Sequence, residues 1–350
     1  MADKIRILVV DDSALMRKLI GKLLLPDDSL VIVGHASDGQ EALEKLPKIQ
    51  PDIILLDLEM KGIGGLETIS RIREILPKLP ILVFSSHTQQ GGKQTLAALA
   101  RGANDYLTKP TAAETQRGGL QATGDRLIYK IRGLAGPLPP PSIRGIAPPP
   151  SSKPSPPVEA IAIGASTGGP AALQVILSKL PANLPVPVLI VQHMPPKFTR
   201  LLTQNLARHS SLRLQEAYSD LRLSPGNAYI APGGHHLLVV REGTELKAQL
   251  TQTPLECESR PSVNVLFRSL AQACPGRALG VVLTGMGRDG RDGSRLLMET
   301  RSSVIAQDEK TSLIWGMPGA VTAAGYAKHV LPLERIADAI VDKVNCKTTI

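Results

Sequence analysis

The sequence predicts two doubly wound, mostly parallel α/β domains joined by a proline-rich linker. Three observations predict it. Strand-length runs such as Ile53–Leu56 (I-I-L-L) and Ile81–Phe84 (I-L-V-F) are apolar at every position, as strands covered on both faces must be. These runs alternate with stretches of helical length, so neighbouring strands connect by β-α-β crossovers into open sheets. Between Gly136 and Pro157 the alternation gives way to P-L-P-P-P-S-I-R-G-I-A-P-P-P-S-S-K-P-S-P-P. Proline fixes φ and removes a donor, so this piece cannot pack into a core and reads as extended polyproline II.

The first domain is set at residues 1–125. Its order is strand Ile5–Val10, helix Ala14–Leu24, strand Val31–Ala36, helix Gly39–Leu46, strand Asp52–Leu56 and helix Gly65–Leu76. Strand Ile81–Phe84, helix Gln90–Arg101 and strand Asp105–Thr108 complete it. Residues 126–157 are assigned to a basic, Pro-rich linker, although Asp125–Leu134 has the pattern of a helix closing the first domain. The second domain, 158–350, starts with strand Ala160–Ile163, helix Pro170–Leu180, strand Val186–Val191 and helix Lys197–His209. Residues 212–255 carry short β runs broken by P-G-N, P-G-G and E-G-T, which reads as a β-hairpin insertion. Helix Val263–Ala273, strand Ala278–Leu283, helix Gly293–Glu299, strand Val304–Ala306 and helices Ala320–Ala324 and Ala337–Val344 follow.

At 350 residues the chain is long enough for two cores. Hydrophobic content of 43% and charged content of 20% suit a globular protein. No apolar run approaches the ~18–20 residues of a membrane span, so membrane insertion is not expected. Met1–Arg6 is charged and lacks the apolar stretch of a secretory signal. The three cysteines, Cys257, Cys274 and Cys346, fit neither a disulfide framework nor a metal knuckle, which favours the cytoplasm. Net charge is +9, and 111–157 holds six bases against two acids, the balance of a solvated basic linker. With aromatics at 3%, stacking platforms for nucleic acid are not expected, nor is there a helix-turn-helix output.

Function gathers at the carboxyl ends of strands in open sheets. In the first domain these ends carry Asp11-Asp12, Asp57, Ser85-Ser86 and Lys109-Pro110. Carboxylates on adjacent strand ends repel one another unless a hard cation sits among them, and Mg²⁺ suits such a site. Lysine opposite would bind a phosphoryl oxygen, Ser85 could hydrogen-bond it, and one carboxylate could form an acyl phosphate. Solvated loop acids are the plain alternative, which the order and spacing of the whole set disfavour.

Residues 5–110, with D-D, the strand-terminal Asp and Ser, and K-P, resemble a response-regulator receiver, a flavodoxin-like fold. The resemblance implies Asp57 as phosphoacceptor. It implies that Asp11, Asp12, Asp57 and the backbone carbonyl of Glu59 hold Mg²⁺. Ser85, Tyr106 and Lys109 match the family's switch residues. From the residues alone, Tyr106 is equally an ordinary half-buried strand residue.

In the second domain, I-G-A-S-T-G-G-P contains Gly164-x-Ser166-x-Gly168, the spacing that lifts a serine onto a sharp strand-to-helix turn. It lacks the spacing of a P-loop or a dinucleotide turn. A later strand ends in Q-His193-M-P, another in T-G-M-G-R-Asp289-G. All three polar residues lie just past strand carboxyl ends, the set that nucleophilic catalysis requires: hydroxyl, base and orienting carboxylate. Rivals stay open at this point. His235 and His236 are alternative bases, Asp292 is an alternative acid, and each member of the set could be a turn or cap residue.

The motifs I-G-A-S-T-G-G-P, Q-H-M-P, A-P-G-G-H-H-L, R-P-S-V-N-V-L-F, V-L-T-G-M-G-R-D-G and A-Q-D-E-K-T-S-L-I-W-G-M-P resemble the catalytic domain of the chemotaxis protein-glutamate methylesterases, the CheB family. The resemblance implies Ser166 as nucleophile, His193 as general base and Asp289 as orienting acid. The backbone near Thr167 and Met286 would flank the oxyanion. It also implies glutamate γ-methyl esters of methyl-accepting chemotaxis receptors as substrate, with glutamine deamidation as a second use of the same chemistry. A histidine kinase would be the phosphodonor, and no cofactor would serve hydrolysis. The receiver would gate the site by packing over its edge, and a monomer is expected. Two positions depart from the family pattern: Asn264 stands where an acid is expected, and Thr300-Arg301-Ser302 replaces a glycine-rich turn.

Overall fold

The computed structural model describes residues 4–86, 88–110, 119–136 and 156–345. The chain divides into two units, Met1–Pro139 and Pro140–Ile350. Most of the expected linker, 137–155, lies outside the described residues, as does Cys346.

The first unit contains β1 (Ile5–Val10), α1 (Ala14–Leu24), β2 (Leu30–Ala36), α2 (Gly39–Ile49), β3 (Ile53–Asp57), α3 (Gly65–Ile75), β4 (Ile81–Ser85), α4 (Gln89–Ala100), β5 (Asp105–Thr108) and α5 (Gly119–Ala135). The strands run parallel in the order β2-β1-β3-β4-β5. The strand order reverses at β1 and β3, which opens a crevice at their carboxyl ends. Side-chain caps start the helices where the sequence turns polar: Ser13 accepts from Met16 N, Asp38 from Glu41 N and Thr88 from Gly91 N. Helix α2 carries Pro47 in its last turn and runs on to Ile49 rather than stopping at Leu46. Helix α5 passes residue 125, where the sequence reading ended the first domain. Leu127 and Ile131, one turn apart, are fully buried in this unit's core, and α5 packs on α1. Residues 126–135 are therefore a structural part of the first unit.

The second unit contains β6 (Ala160–Ala165), α6 (Gly169–Leu177), β7 (Val188–Gln192), α7 (Phe198–Ala207), β8 (Arg213–Glu216), β9 (Leu221–Arg222), β10 (Asn227–Ile230), β11 (His236–Glu242) and β12 (Glu245–Thr251). It continues with α8 (Val263–Ala273), β13 (Ala278–Val282), α9 (Arg291–Glu299), β14 (Ser303–Gln307), α10 (Met317–Ala323), β15 (His329–Leu331) and α11 (Leu333–Asn345). Seven strands form a parallel sheet in the order β15-β14-β13-β6-β7-β10-β8. The chain winds outward from β6 through β7, then returns to β13 on the other side, so the reversal lies at β6 and β13. Only part of 212–255 is the expected hairpin: β11 and β12 pair antiparallel, with β9 added to them. The A-Y-I run instead joins the main sheet as β10, parallel to β7. It lies between P-G-N and P-G-G like a hairpin strand, but Ala228, Tyr229 and Ile230 are all buried.

Candidate active site

Ser166 is positioned by the sheet itself. The ladder between β6 and β7 pairs Gly164 with Val191 and Ala165 with Gln192. One step further lie Ser166 and His193, and the His193 N–H still donates to the Ala165 carbonyl at 3.1 Å. Paired positions on neighbouring strands are about 4.8 Å apart, so the register brings nucleophile and base candidates to adjacent strand ends. On the other flank, the Ser166 N–H donates to the Thr284 carbonyl at 3.1 Å, extending the ladder with β13. The chain then turns through Gly168, at φ +79°, into α6. Glycine is required there, because the left-handed backbone disfavours a side chain and a Cβ would lie 2.9 Å from Leu313 Cβ.

His193 Nε2 and Asp289 Oδ2 lie 2.8 Å apart. The ring is 16% exposed and the carboxylate 2%. Asp289 also accepts from Ser262 Oγ at 2.8 Å, Val263 N at 2.7 Å, Asn264 N at 2.9 Å and Gly290 N at 2.9 Å. Val263 and Asn264 open helix α8, so the carboxylate occupies its positive N-terminal end. Burial works to raise the Asp289 carboxyl. The hydrogen bond and charge of His193, with the Asn264 and Val263 N–H groups, outweigh burial and hold it below its ordinary value. Asp289 is therefore a carboxylate that draws a proton onto Nε2 and leaves Nδ1 as the ring's basic nitrogen. Among the described residues the Ser166 hydroxyl makes no hydrogen bond, a contact that in such sites often closes only with substrate.

Thr167 is buried, and its carbonyl accepts from Thr284 Oγ1 at 2.9 Å. The same hydroxyl accepts from Ile314 N at 3.0 Å, which ties the serine turn to the 308–316 loop. Met286 is half-buried two residues beyond Thr284. A Cβ on Gly285 would lie 2.9 Å from Ser166 Cβ and 2.4 Å from Met317 Sδ, so the chain passes hard against the serine.

The rivals stand elsewhere. His236 is fully buried; its Nδ1 accepts from Ser262 N at 3.1 Å and its Nε2 lies 3.1 Å from the Pro254 carbonyl. His235 is half-buried, with Nδ1 hydrogen-bonded to nothing among the described residues. Asp292 is about half exposed and pairs with Arg291 at 2.9 Å. The Cys257 thiol is pushed up to about 11 by desolvation and then by Asp289 and Glu256, so it does not compete as a nucleophile. Asn264 Oδ1 accepts from Gly290 N at 2.9 Å and Gly293 N at 2.8 Å, while its Nδ2 contacts Cys257 Sγ at 3.5 Å. The amide thus holds the start of α9 without setting a second charge beside Asp289. Sequence reasoning missed Gln192, Ser262 and Thr284 as parts of this network. The one available signal was a polar residue ending an apolar strand, present in V-Q192 and L-T284.

In the first unit, carboxylate oxygens of Asp11, Asp12 and Asp57 lie within 4.8 Å of one another. Asp11 Oδ2 is buried, with the Lys109 ammonium beside it. Hard oxygen donors in that number fit Mg²⁺. Lys109 Nζ lies 2.6 Å from Asp57 Oδ2 and 3.2 Å from Asp11 Oδ2. Burial works to lower the Lys109 ammonium, but Asp57 and Asp11 outweigh it and hold it above its ordinary value. Burial raises the Asp57 carboxyl, and the Asp11 charge adds to this, against Lys109. The Glu59 N–H donates to Asp57 Oδ1 at 3.2 Å, which sets its peptide beside the cluster. Ser85 Oγ is turned to α4, taking a hydrogen bond from Thr95 Oγ1 at 2.7 Å and donating to the Gly91 carbonyl at 3.2 Å. Tyr106 is buried, with Lys130 Nζ 6.0 Å from its ring centre. No helix among the described residues is long and apolar enough to cross a membrane.

Two family models match the chain: CheB methylesterase over residues 161–340, and response regulator receiver domain over 7–117. A Trichodesmium erythraeum protein named protein-glutamate methylesterase/protein-glutamine glutaminase is 44% identical over 349 residues, spanning 97% of this chain and 99% of its own. A Caulobacter vibrioides protein named protein-glutamate methylesterase/protein-glutamine glutaminase 2 is 43% identical over 344 residues, spanning 97% and 98%. Among solved structures, the Thermotoga maritima CheB methylesterase catalytic domain is similar at a TM-score of 0.52 and 36% identity, over 53% of this chain and 98% of its own.

Proposed function

This chain belongs to the CheB methylesterase family and carries a receiver domain, and we propose that it hydrolyses glutamate γ-methyl esters on chemotaxis receptors through Ser166, His193 and Asp289, under control of phosphorylation at Asp57. The observation that carries the reading is the Asp289 carboxylate, saturated by backbone donors and aimed at His193, one strand away from Ser166.

Ser166 Oγ attacks the ester carbonyl carbon as its proton passes to His193 Nδ1, while Asp289 keeps the other ring nitrogen protonated. The backbone around Thr167 and Met286 flanks the developing oxyanion; a single such donor contributes about 2.7–4 kcal/mol in other hydrolases. Collapse expels the methoxy group, which takes the proton from His193 and leaves as methanol. Water, giving its proton to Nδ1, then attacks the acyl-enzyme carbonyl, and Ser166 departs with that proton. A glutamine side chain would follow the same course with ammonia as the leaving group.

In the receiver, Asp11, Asp12 and Asp57 would hold Mg²⁺, whose charge would offset that of a phosphoryl group. Lys109, already charged and bridging Asp57 and Asp11, would pair with a phosphoryl oxygen, and the Ser85 hydroxyl would turn toward it from Thr95 and Gly91. The phosphodonor would be a histidine kinase of the same cytoplasmic pathway. A 100-fold activation requires a coupling of about 2.7 kcal/mol between phosphoryl group and active state. The test is methanol release from methylated receptors by wild type, Ser166→Ala and Asp57→Ala, each with and without a small-molecule phosphodonor. Activity surviving in Ser166→Ala refutes the nucleophile, and equal stimulation of Asp57→Ala refutes the control.

A further inference from the structure

Resting on that reading of the site, we infer that Gln192 is a positioning residue: its side-chain amide clamps the main chain of the nucleophile to that of the base. Gln192 is the last residue of β7, immediately before His193, and is 2% exposed. Its Nε2 donates to the Ser166 carbonyl at 2.9 Å and lies 3.4 Å from the His193 carbonyl. One NH₂ group has two hydrogens, enough for both carbonyls. The amide orientation follows from its partners, because a flipped amide would set Oε1 against two carbonyl oxygens.

The clamp acts where the ladder stops. Register holds Ala165 to Gln192, and the His193 N–H holds to Ala165, but beyond that point the two strands have no further backbone bond among the described residues. The peptide between Ser166 and Thr167 is planar, so pinning the Ser166 carbonyl fixes the plane of the whole unit at the elbow. The Gly169 N–H holds the same carbonyl from the helix side, and the amide adds the tie to the His193 main chain that the ladder no longer supplies.

Two observations separate this role from simple packing. Gln192 Oε1 is buried without a hydrogen bond, among the few side-chain atoms so placed. A buried orphan acceptor is a cost that an apolar side chain would not carry. The neighbouring backbone also yields to it: a Cβ on Gly169 would lie 2.0 Å from Oε1, so the helix behind the nucleophile must begin with glycine. The Ser166 carbonyl, meanwhile, already accepts from Gly169 N at 2.8 Å, so removing the amide does not orphan it. An apolar side chain would remove the orphan acceptor and leave only the His193 carbonyl without its 3.4 Å contact, so stability gives no strong reason for an amide here.

The test uses the full chain with Gln192→Met, which keeps length and burial, and Gln192→Glu, which keeps shape and offers at most one O–H, too few to hold both carbonyls. Steady-state methanol release, labelling by a small fluorophosphonate that needs no receptor docking, and thermal unfolding are measured together. The expected result is kcat and labelling rate both down about 100-fold in Gln192→Met, the scale of a 1 Å misplacement. KM stays within about twofold, and Tm stays close to that of wild type. Wild-type kcat in Gln192→Met, or a loss that tracks the folded fraction, overturns the clamp. Gln192→Glu decides if Gln192→Met fails to fold: labelling at the wild-type rate in its folded fraction overturns the clamp, and slowed labelling there supports it. Ser166→Ala, run alongside, must neither release methanol nor take the label. If it does either, the reading of the site fails rather than the role of Gln192.

Discussion

Replacing Asp289 by asparagine tests the site at its most constrained point. The carboxylate accepts five hydrogen bonds: Ser262 Oγ, Asn264 N and Gly290 N on Oδ1, and His193 Nε2 and Val263 N on Oδ2. Asparagine keeps one acceptor oxygen. With that oxygen toward the three donors, its NH₂ faces Val263 N–H and the ring. His193 can then relieve the clash only by moving its proton to Nδ1, the nitrogen that must stay basic. A tautomer inverted in this way costs about 10⁴ in kcat in the serine proteases, near 5.5 kcal/mol. The Val263 N–H, left facing the NH₂, costs about 1–3 kcal/mol of stability. The stability loss has a pH signature. Because the folded Asp289 carboxyl lies below its ordinary 3.8, its contribution is present above that value and disappears as pH falls through the folded value. The gap between wild type and Asp289→Asn should therefore be full at pH 7 and close below about pH 4. Methanol release gives the first quantity and urea denaturation at several pH values the second. A folded Asp289→Asn protein within about tenfold of wild-type kcat would refute the claim that this carboxylate sets the tautomer.

Three further outcomes follow from the same geometry. Gly285→Ala places a methyl group 2.9 Å from Ser166 Cβ and 2.4 Å from Met317 Sδ, so fluorophosphonate labelling should slow by about 100-fold while urea unfolding shows a folded protein. His235→Ala should keep kcat within about threefold, whereas His193→Ala should abolish methanol release, since only the latter ring contacts Asp289. Mg²⁺ in excess should stabilise the receiver by about 2.7 kcal/mol at 100 times the dissociation constant, seen in calorimetry as a higher melting temperature, and Asp12→Ala should remove the rise.

Much of both units was legible in the sequence because the signals were local. Apolar runs such as Ile53–Leu56 and Val188–Val191 become fully buried central strands, since a parallel sheet covered on both faces admits nothing else. Ser13, Asp38 and Thr88 start helices by capping their own N–H groups, again a matter of three residues. The strand-end rule likewise pointed to Ser166, His193 and Asp289, and to Asp11, Asp12 and Asp57, because side chains at carboxyl ends have nowhere else to gather. The extent of helix α5 was less legible. Leu127 and Ile131 are two apolar positions in a charged stretch, and their burial depends on α1, more than a hundred residues away.

What only the tertiary structure decided is partnership and register. Asp289 and Asp292 are equivalent in sequence terms. The one is sealed by the N-terminus of α8 and the other lies in solvent, because α8 returns from residues 263–273 to meet the loop after β13. His236 has the pattern of a base and is spent on Ser262 and Pro254. The A-Y-I run is bounded by turns like a hairpin strand and joins the main sheet, since the neighbour that claims its backbone is β7, some forty residues earlier. Gln192 shows the difference most directly: its letter marks a polar strand end, and its meaning lies in two carbonyls that the β6–β7 pairing brings within reach of one amide. Chemistry-bearing residue types are properties of a chain segment. Which of them touch is set by how distant segments share hydrogen bonds, and that information exists only once the chain has folded.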